Sequence, residues 1–251
     1  MPHVTLAAMK RLLESRIILI TGAGSGLGRQ AALAFASQGA TVLLLGRDEN
    51  RLNMVYDAVV REENPQPVVI PLDLAHASEA DFHSLARMIE NELGRLDGIL
   101  HSAVQFVPLT PLSQLKMSDL QNGLATNFTG PFGLTRMLLP LLELSSDASV
   151  LFTMEEHALN PGPYWGGLGT SQMGLAHLAR LFTQERRAHS SVRFNVLIPG
   201  PVATPLRKRT HPGMVASELP APSDLMHHYV HWMGPESQGK SGEIIILGTT
   251  D

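Results

Sequence analysis

The sequence lacks cysteine altogether in its 251 residues, which excludes disulfides, thiolate metal sites and thiol chemistry. It also has little charge. Charged residues make up 17% and the formal net charge is −4, so we expect no binding to nucleic acid or to a membrane surface. Near its start Lys10, Arg11, Glu14 and Arg16 interrupt the apolar residues, which argues against a signal peptide or a membrane span. We therefore expect a cytoplasmic protein.

Apolar residues make up 44% of the chain, which is enough for a well-buried core. Short apolar runs rich in β-branched residues predict strands at RIILIT (16–21), TVLLLG (41–46), PVVIPLD (67–73), DGILHSA (97–103), ASVLFTM (148–154), VRFNVLIPG (192–200) and GEIIILG (242–248). The apolar residues in these runs are continuous rather than alternating. This pattern is typical of a parallel sheet that helices cover on both faces.

Amphipathic stretches between these runs predict helices at 26–38, 49–62, 78–93, 113–143, 166–187 and 222–233. No charged or proline-rich linker interrupts the alternation of strands and helices. We therefore predict one domain over residues 1–251, an α/β fold of the doubly wound Rossmann type with a single parallel sheet. Residues 204–225 are a long, proline-bearing excursion after the sixth strand, and such excursions are often substrate lids.

The segment LITGAGSGLGRQAA follows the first strand and opens the first helix. Gly22 permits a tight turn, Gly26 lets the backbone approach a pyrophosphate, and Gly28 lets the helix pack closely on the strand. The helix N-terminus then offers unpaired amides to phosphate groups. This turn predicts a dinucleotide site.

The end of the second strand indicates which dinucleotide. Gly46 is followed there by Arg47 rather than by an acid, and a guanidinium suits a 2′-phosphate. We therefore expect NADP(H) to be favoured over NAD(H). Asp48 is either a displaced ribose-binding acid or the N-cap of the next helix, which we favour. Asp73 either accepts a hydrogen bond from an adenine amino group or is a solvated turn acid.

These motifs together resemble the short-chain dehydrogenase/reductase family. Thr21-Gly22-xxx-Gly26-x-Gly28 is similar to the cofactor turn of that family, and Asp73-Leu74 to its adenine-contacting element. LATNFTGPF (124–132), RFNVLIPGPVATPL (193–206) and SGEIIILG (241–248) resemble its central helix, its sixth strand with the Pro-Gly turn, and its closing strand. The resemblance implies cofactor contacts at Gly22, Gly24, Ser25, Gly26, Leu27, Gly28, Arg47, Asp73, Leu74, Ser102, Ala103, Asn127, Gly200, Val202 and Thr204. It also implies a homodimer or homotetramer that pairs through the helices at 113–143 and 166–187.

The departures from the family pattern occur at the positions that carry its catalytic residues. The family serine falls on Glu155, its tyrosine on Leu168 and its lysine on Gln172. Asn127 alone remains of the four catalytic positions, and HSAVQ (101–105) replaces Asn-Asn-Ala-Gly while keeping only Ala103 in register.

This loss matters because hydride transfer to a carbonyl leaves an alkoxide that needs a proton donor. A tyrosine of pKa about 10 needs a nearby cation to act at neutral pH. Leucine carries no proton and glutamine no charge. We therefore expect an NADP(H)-binding protein that is inactive or weak by the Tyr–Lys mechanism, and we assign no catalytic residue. The alternative is an oxidoreductase of an unknown carbonyl or alcohol that uses Glu155 or His157. A purely structural protein is a third interpretation, which the intact glycine turn opposes.

Four other features allow more than one interpretation. Glu155, Glu156 and His157 form a titratable cluster, which we favour as a solvated loop. Tyr164 precedes Leu168 by one turn without a following cation, and we expect it to pack at the loop. His227 and His231 have metal-ligand spacing, yet the aromatic residues beside them favour a packing helix, so no metal is predicted. The run RKR (207–209) is expected to be solvated or at the lid edge, with attraction of an anionic ligand as the alternative.

Overall fold

The computed structural model describes residues 11–186 and 191–248. Within them a seven-stranded parallel sheet has the order β3-β2-β1-β4-β5-β6-β7. The strands are β1 Ile17–Thr21, β2 Thr41–Gly46, β3 Val68–Pro71, β4 Gly98–His101, β5 Ala148–Thr153, β6 Val192–Ile198 and β7 Ile244–Ile246. The strand order reverses between β1 and β4, and a crevice opens at such a point beyond the carboxyl ends of the strands. The predicted doubly wound fold is confirmed.

Helices cover both faces of this sheet. They are α1 Gly26–Ser37, α2 Glu49–Arg61, α3 Glu79–Leu93, α4 Met117–Leu124, α5 Gly130–Glu143, α6 Gly166–Gln172, α7 Gly174–Arg186, α8 Pro205–Thr210 and α9 Met226–Met233. The Asp48 side chain accepts a hydrogen bond from the amide of Arg51, which confirms it as the N-cap of α2. Across the described residues, no helix combines the length and apolar character that crossing a membrane requires.

The prediction of one continuous helix over 113–143 is wrong. The structure has α4, a π-helical turn at Ala125–Thr129, and then α5. Pro131 offers a physical reason, because proline has no N–H to donate to the preceding turn. The Thr129 hydroxyl donates to the carbonyl of Ala125 at 3.1 Å within the widened turn. The helix predicted at 166–187 is also divided, at Met173 between α6 and α7.

The core consists of two layers, one on each face of the sheet. Successive residues of β1 alternate between them. Leu19 packs in the layer with residues of α3, α5 and α7, whereas Ile18 and Ile20 pack in the layer with α1, α2 and α9. All three side chains are fully buried, and each such burial is worth about 1.5–3 kcal/mol. The two-sided burial explains why the strand sequences are apolar without interruption.

Candidate functional site

A crevice runs along the carboxyl ends of the strands, where the sequence predicts the dinucleotide. Thirteen of the fifteen predicted cofactor residues line it: Gly22, Gly24, Ser25, Gly26, Leu27, Arg47, Asp73, Leu74, Ser102, Ala103, Gly200, Val202 and Thr204. The other two, Gly28 and Asn127, are buried and do not line the crevice. The topology therefore gathers residues that lie far apart in the sequence into one continuous surface.

The glycine turn after β1 leaves no room for side chains on its inner side. Gly22 has φ +69°, and a Cβ there would lie 2.7 Å from the Cα of Ala103. A Cβ on Gly28 would lie 2.5 Å from the carbonyl oxygen of Gly22. On the outer side, a Cβ on Gly26 would meet nothing closer than 3.9 Å. The first turn of α1 thus packs tightly on β1. The N-terminal end of α1 faces open space, and that space fits a bound pyrophosphate.

The rim beside β2 carries the residues that the sequence assigned to the adenosine half. Arg47 is exposed, and its Nη1 donates to Oε1 of Gln105 at 3.1 Å. Asp73 accepts the amide of Ala75 at 3.0 Å and lies 3.2 Å from Nδ1 of His76. Asp73 is therefore engaged in its own turn, and its contact with adenine stays a prediction.

Asn127 joins two walls of the crevice. Its Oδ1 accepts the amide of Gln105 at 2.7 Å, and its Nδ2 donates to the Gln105 carbonyl at 3.0 Å. The same Nδ2 donates to Oγ of Ser171 at 2.8 Å. Asn127 therefore ties the loop after β4 to α6. Sequence reasoning missed both partners, because neither Gln105 nor Ser171 belongs to a recognisable motif.

The loop after β5 is more buried than the sequence suggests. The side chains of Glu155 and His157 are only 23% and 19% exposed, and Oε1 of Glu155 lies 3.2 Å from Nδ1 of His157. The His157 ring stacks on Trp165 at 3.8 Å between centroids. The preference for a solvated loop is therefore wrong for these two residues, because packing of the indole against the imidazole removes them from water. No local pattern announces that contact.

Burial sets the electrostatics of this cluster. It raises the pKa of Glu155 above its ordinary value, because the charged form is disfavoured out of water. The hydrogen bond from His157 and the charges of His157 and Arg207 oppose that rise. The carboxyl thus holds its proton to a higher pH than a solvated glutamate.

Leu168 and Gln172, which the resemblance sets at the family tyrosine and lysine positions, are both buried. Leu168 is fully buried. Oε1 of Gln172 accepts the amide of Glu155 at 2.8 Å, which fixes the loop after β5 against α6. Tyr164 is 57% exposed with φ +73°, so the expectation that it packs at the loop is wrong.

The basic run at 207–209 is divided between the interior and the surface. Lys208 and Arg209 are exposed as expected, and Arg209 lies over the ring of Phe106. Arg207 is only 8% exposed and lines the crevice, so of the two expected placements, solvated or at the lid edge, the solvated one is wrong for this residue. Arg207 lies in the first turn of the short helix α8, and the Thr204 hydroxyl caps this turn by accepting a hydrogen bond from the Arg207 amide at 3.1 Å.

The histidines of α9 make contacts that differ from metal ligation. His231 lies 3.2 Å from Glu236, and the rings of His227 and His228 are 3.9 Å apart. Within 11–186 and 191–248, no three His, Cys, Asp or Glu side chains are grouped so as to hold a metal ion.

Comparisons with known proteins agree with this architecture. A family model described as short chain dehydrogenase matches residues 16–214. The "Uncharacterized oxidoreductase YciK" of Escherichia coli (strain K12) is 34% identical over 231 residues, covering 92% of this chain and 91% of that protein. A candidate short chain dehydrogenase structure from Pseudomonas syringae is 39% identical, with TM-score 0.93 over 96% of this chain and 98% of that one. Another, from Escherichia coli CFT073 in complex with NADPH, is 33% identical, with TM-score 0.92 over 96% and 100%.

Proposed function

Because this chain belongs to the short chain dehydrogenase family, we propose that it binds NADP(H) and is inactive or weak in carbonyl reduction by a Tyr–Lys mechanism. The observation that carries the proposal is the glycine cradle. Its inner side is closed by Ala103 and Gly22, whereas its outer side opens into the crevice. A related structure was solved with NADPH, which supports the same ligand here.

The preference for NADP(H) over NAD(H) rests on Arg47. Its guanidinium stands at the rim beyond β2, where Gln105 holds it by a hydrogen bond. A 2′-phosphate accepts two parallel N–H bonds from such a group, whereas a ribose hydroxyl gains little from it.

The proposed weakness in catalysis rests on Leu168 and Gln172. A bound nicotinamide would supply a hydride to a carbonyl or take one from an alcohol, and a positioned residue would donate the accompanying proton in the first case and accept it in the second. Leu168 carries no proton, and the carboxamide of Gln172 is already engaged by the amide of Glu155. Loss of a positioned acid costs about 10²–10⁴-fold in rate.

The test is a titration with NADPH and NADH followed by nicotinamide fluorescence, with turnover measured on a panel of ketones and aldehydes. We expect tighter binding of NADPH and turnover close to background. The combined variant Glu155→Ser, Leu168→Tyr and Gln172→Lys should raise turnover with little change in NADPH affinity. Its matched control retains Gln172 and should stay near background, because the new phenol then lacks a cation. Undetectable NADPH binding would overturn the proposal.

A second candidate function is an active NADP-dependent oxidoreductase whose acid is Glu155, assisted by His157. The observation that favours it is the buried contact between the two side chains together with the raised pKa of the carboxyl. A carboxyl of raised pKa is a better proton donor near neutral pH than a solvated one.

The two candidates differ in an observable way. The second requires NADPH consumption in the unmutated protein that falls as the pH rises and disappears in Glu155→Gln. Glu62→Gln, an exposed change beyond the end of α2, is the control. Consumption that survives Glu155→Gln would exclude this role for Glu155.

We further propose that the chain acts as one domain in which 204–225 serves as a lid. Thr204, Leu206 and Arg207 line the crevice, and Arg209 reaches across to Phe106 on the loop after β4. A cytoplasmic location and assembly into a homodimer or homotetramer stay predictions.

A further inference from the structure

Arg207 is a buried cation in the wall of the crevice. It is 8% exposed, and its Nε is buried without a hydrogen-bond partner among the described residues. The backbone around it is fixed, because its amide donates to Thr204 and its carbonyl accepts the amide of His211 at 2.8 Å. A buried N–H without an acceptor is costly in a folded protein, and this one belongs to a residue that lines an open site.

The groups around Arg207 show that it lies at the end of the crevice near the loop after β5. The charges of Glu155 and Glu156 oppose the effect of burial, which lowers the pKa of Arg207. His211 is held neutral to a lower pH, because burial and the charges of Arg207 and His157 lower its pKa. The charge of Arg207 therefore acts on its surroundings together with those of Glu155 and Glu156, and His211 lies within reach of it.

We infer that Arg207 binds the carboxylate of a small monocarboxylic acid that enters the crevice beside the nicotinamide. This inference rests on the proposed function only in placing the acid next to a nicotinamide. The binding group, Arg207, is a residue of the chain itself. A guanidinium presents its N–H groups in a planar fork that matches a carboxylate. Met154, Val202 and Leu206 also line the crevice and offer apolar surface for the remainder of a small ligand.

The charges favour a monoanion over a dianion such as phosphate. One guanidinium faces Glu155 and Glu156, so a second negative charge on the ligand meets repulsion that Arg207 alone does not balance. A monocarboxylate adds one charge, and the raised pKa of Glu155 lets that carboxyl take up a proton as the anion enters. Binding should therefore strengthen as the pH falls.

The test measures binding rather than turnover. Propionate, propionamide and inorganic phosphate are titrated calorimetrically into the full chain, alone and saturated with NADPH. Arg207→Met and Arg207→Gln remove the cation by two different side chains. Lys208→Met, the exposed neighbour on α8, is the matched control for the same change of charge. NADPH affinity and the thermal midpoint are measured for every variant to show that each is folded.

We expect propionate to bind more tightly than propionamide or phosphate. Either Arg207 variant should weaken propionate at least tenfold, and Lys208→Met should change its affinity less than twofold. Absence of propionate binding to the NADPH-saturated protein overturns the inference, as does an equal loss in Lys208→Met. An Arg207 variant that loses NADPH but retains propionate also overturns it, because Arg207 then serves the cofactor phosphates. If NADPH itself does not bind, the proposed function fails, and propionate binding to the protein alone still decides the role of Arg207.

Discussion

Exchange of Arg47 for aspartate should reverse the preference between the two nicotinamide cofactors. Arg47 is exposed at the rim and donates one hydrogen bond, to Gln105, so a 2′-phosphate gains a contact that water partly screens. A charge-assisted hydrogen bond is worth about 1.5–3 kcal/mol, and exposure reduces that to about 1–2 kcal/mol. Arg47→Ala should therefore weaken NADPH by about five- to thirtyfold.

Arg47→Asp should weaken NADPH further, because a carboxylate then faces the phosphate. It should spare or improve NADH, because an acid at the end of the second strand accepts a hydrogen bond from the ribose hydroxyl. Dissociation constants from nicotinamide fluorescence measure both effects. Arg61→Asp makes the same change of charge at the exposed end of α2 and should leave both constants within about twofold. Equal affinities for NADPH and NADH in the unmutated protein would refute the reasoning, and so would equal losses in the two aspartate variants.

The remaining predictions concern stability and assembly. Gly28→Ala should lower the free energy of unfolding by about 1–3 kcal/mol, because its Cβ would meet a backbone oxygen at 2.5 Å, whereas Gly213→Ala meets nothing within 4 Å and should be neutral; denaturant titration compares them. Burial lowers the pKa of His101 to about 3, so the unfolded chain binds an extra proton below its ordinary pKa. This residue should therefore cost about 1.4 kcal/mol of stability per pH unit as the pH falls below about 6.5 toward its folded pKa, a slope that His101→Gln should remove from acid denaturation curves. Exposed apolar residues on or beside α5 and α7, at Phe132, Met173 and Leu181, support pairing through these helices, and sedimentation showing a monomer at micromolar concentration would contradict it.

The sheet was predictable because its signal is local. Each strand of a parallel sheet covered on both faces must be apolar throughout, and β1 shows the reason, since Ile18 and Leu19 are both fully buried in opposite layers. The glycine turn was predictable for the same reason. The turn requires a positive φ at Gly22 and close packing at Gly28. Both requirements are local, and both are met by glycine, so the sequence shows them directly.

The burial of the site residues was not predictable, because it depends on contacts between distant segments. Glu155 is largely removed from water in a loop whose backbone Gln172 holds and whose His157 stacks on Trp165. Arg207 and Lys208 are adjacent and chemically alike, yet one lines the crevice and the other is exposed. The orientation of the short helix α8 decides between them, and no periodicity can be read from six residues. The sequence therefore shows which residues of this segment are charged, but not which of them are buried and which are exposed to water.

The position of the positive charge follows from these same contacts. If 172 is the family lysine position, glutamine removes a cation from the α6 wall, and Glu155 adds an acid close by. Glu155 and Glu156 are both partly buried, and partly buried acids without a nearby cation would be costly. Arg207 supplies a positive charge from α8, and this charge opposes the rise in the pKa of Glu155. On the proposed function, this charge would pair with a ligand rather than with a phenol, so Gln172 on α6 and the buried Arg207 on α8 would serve the same site. If both proposals hold, such a site would bind a nicotinamide and a small anion together and would lack the dyad that transfers a proton between them.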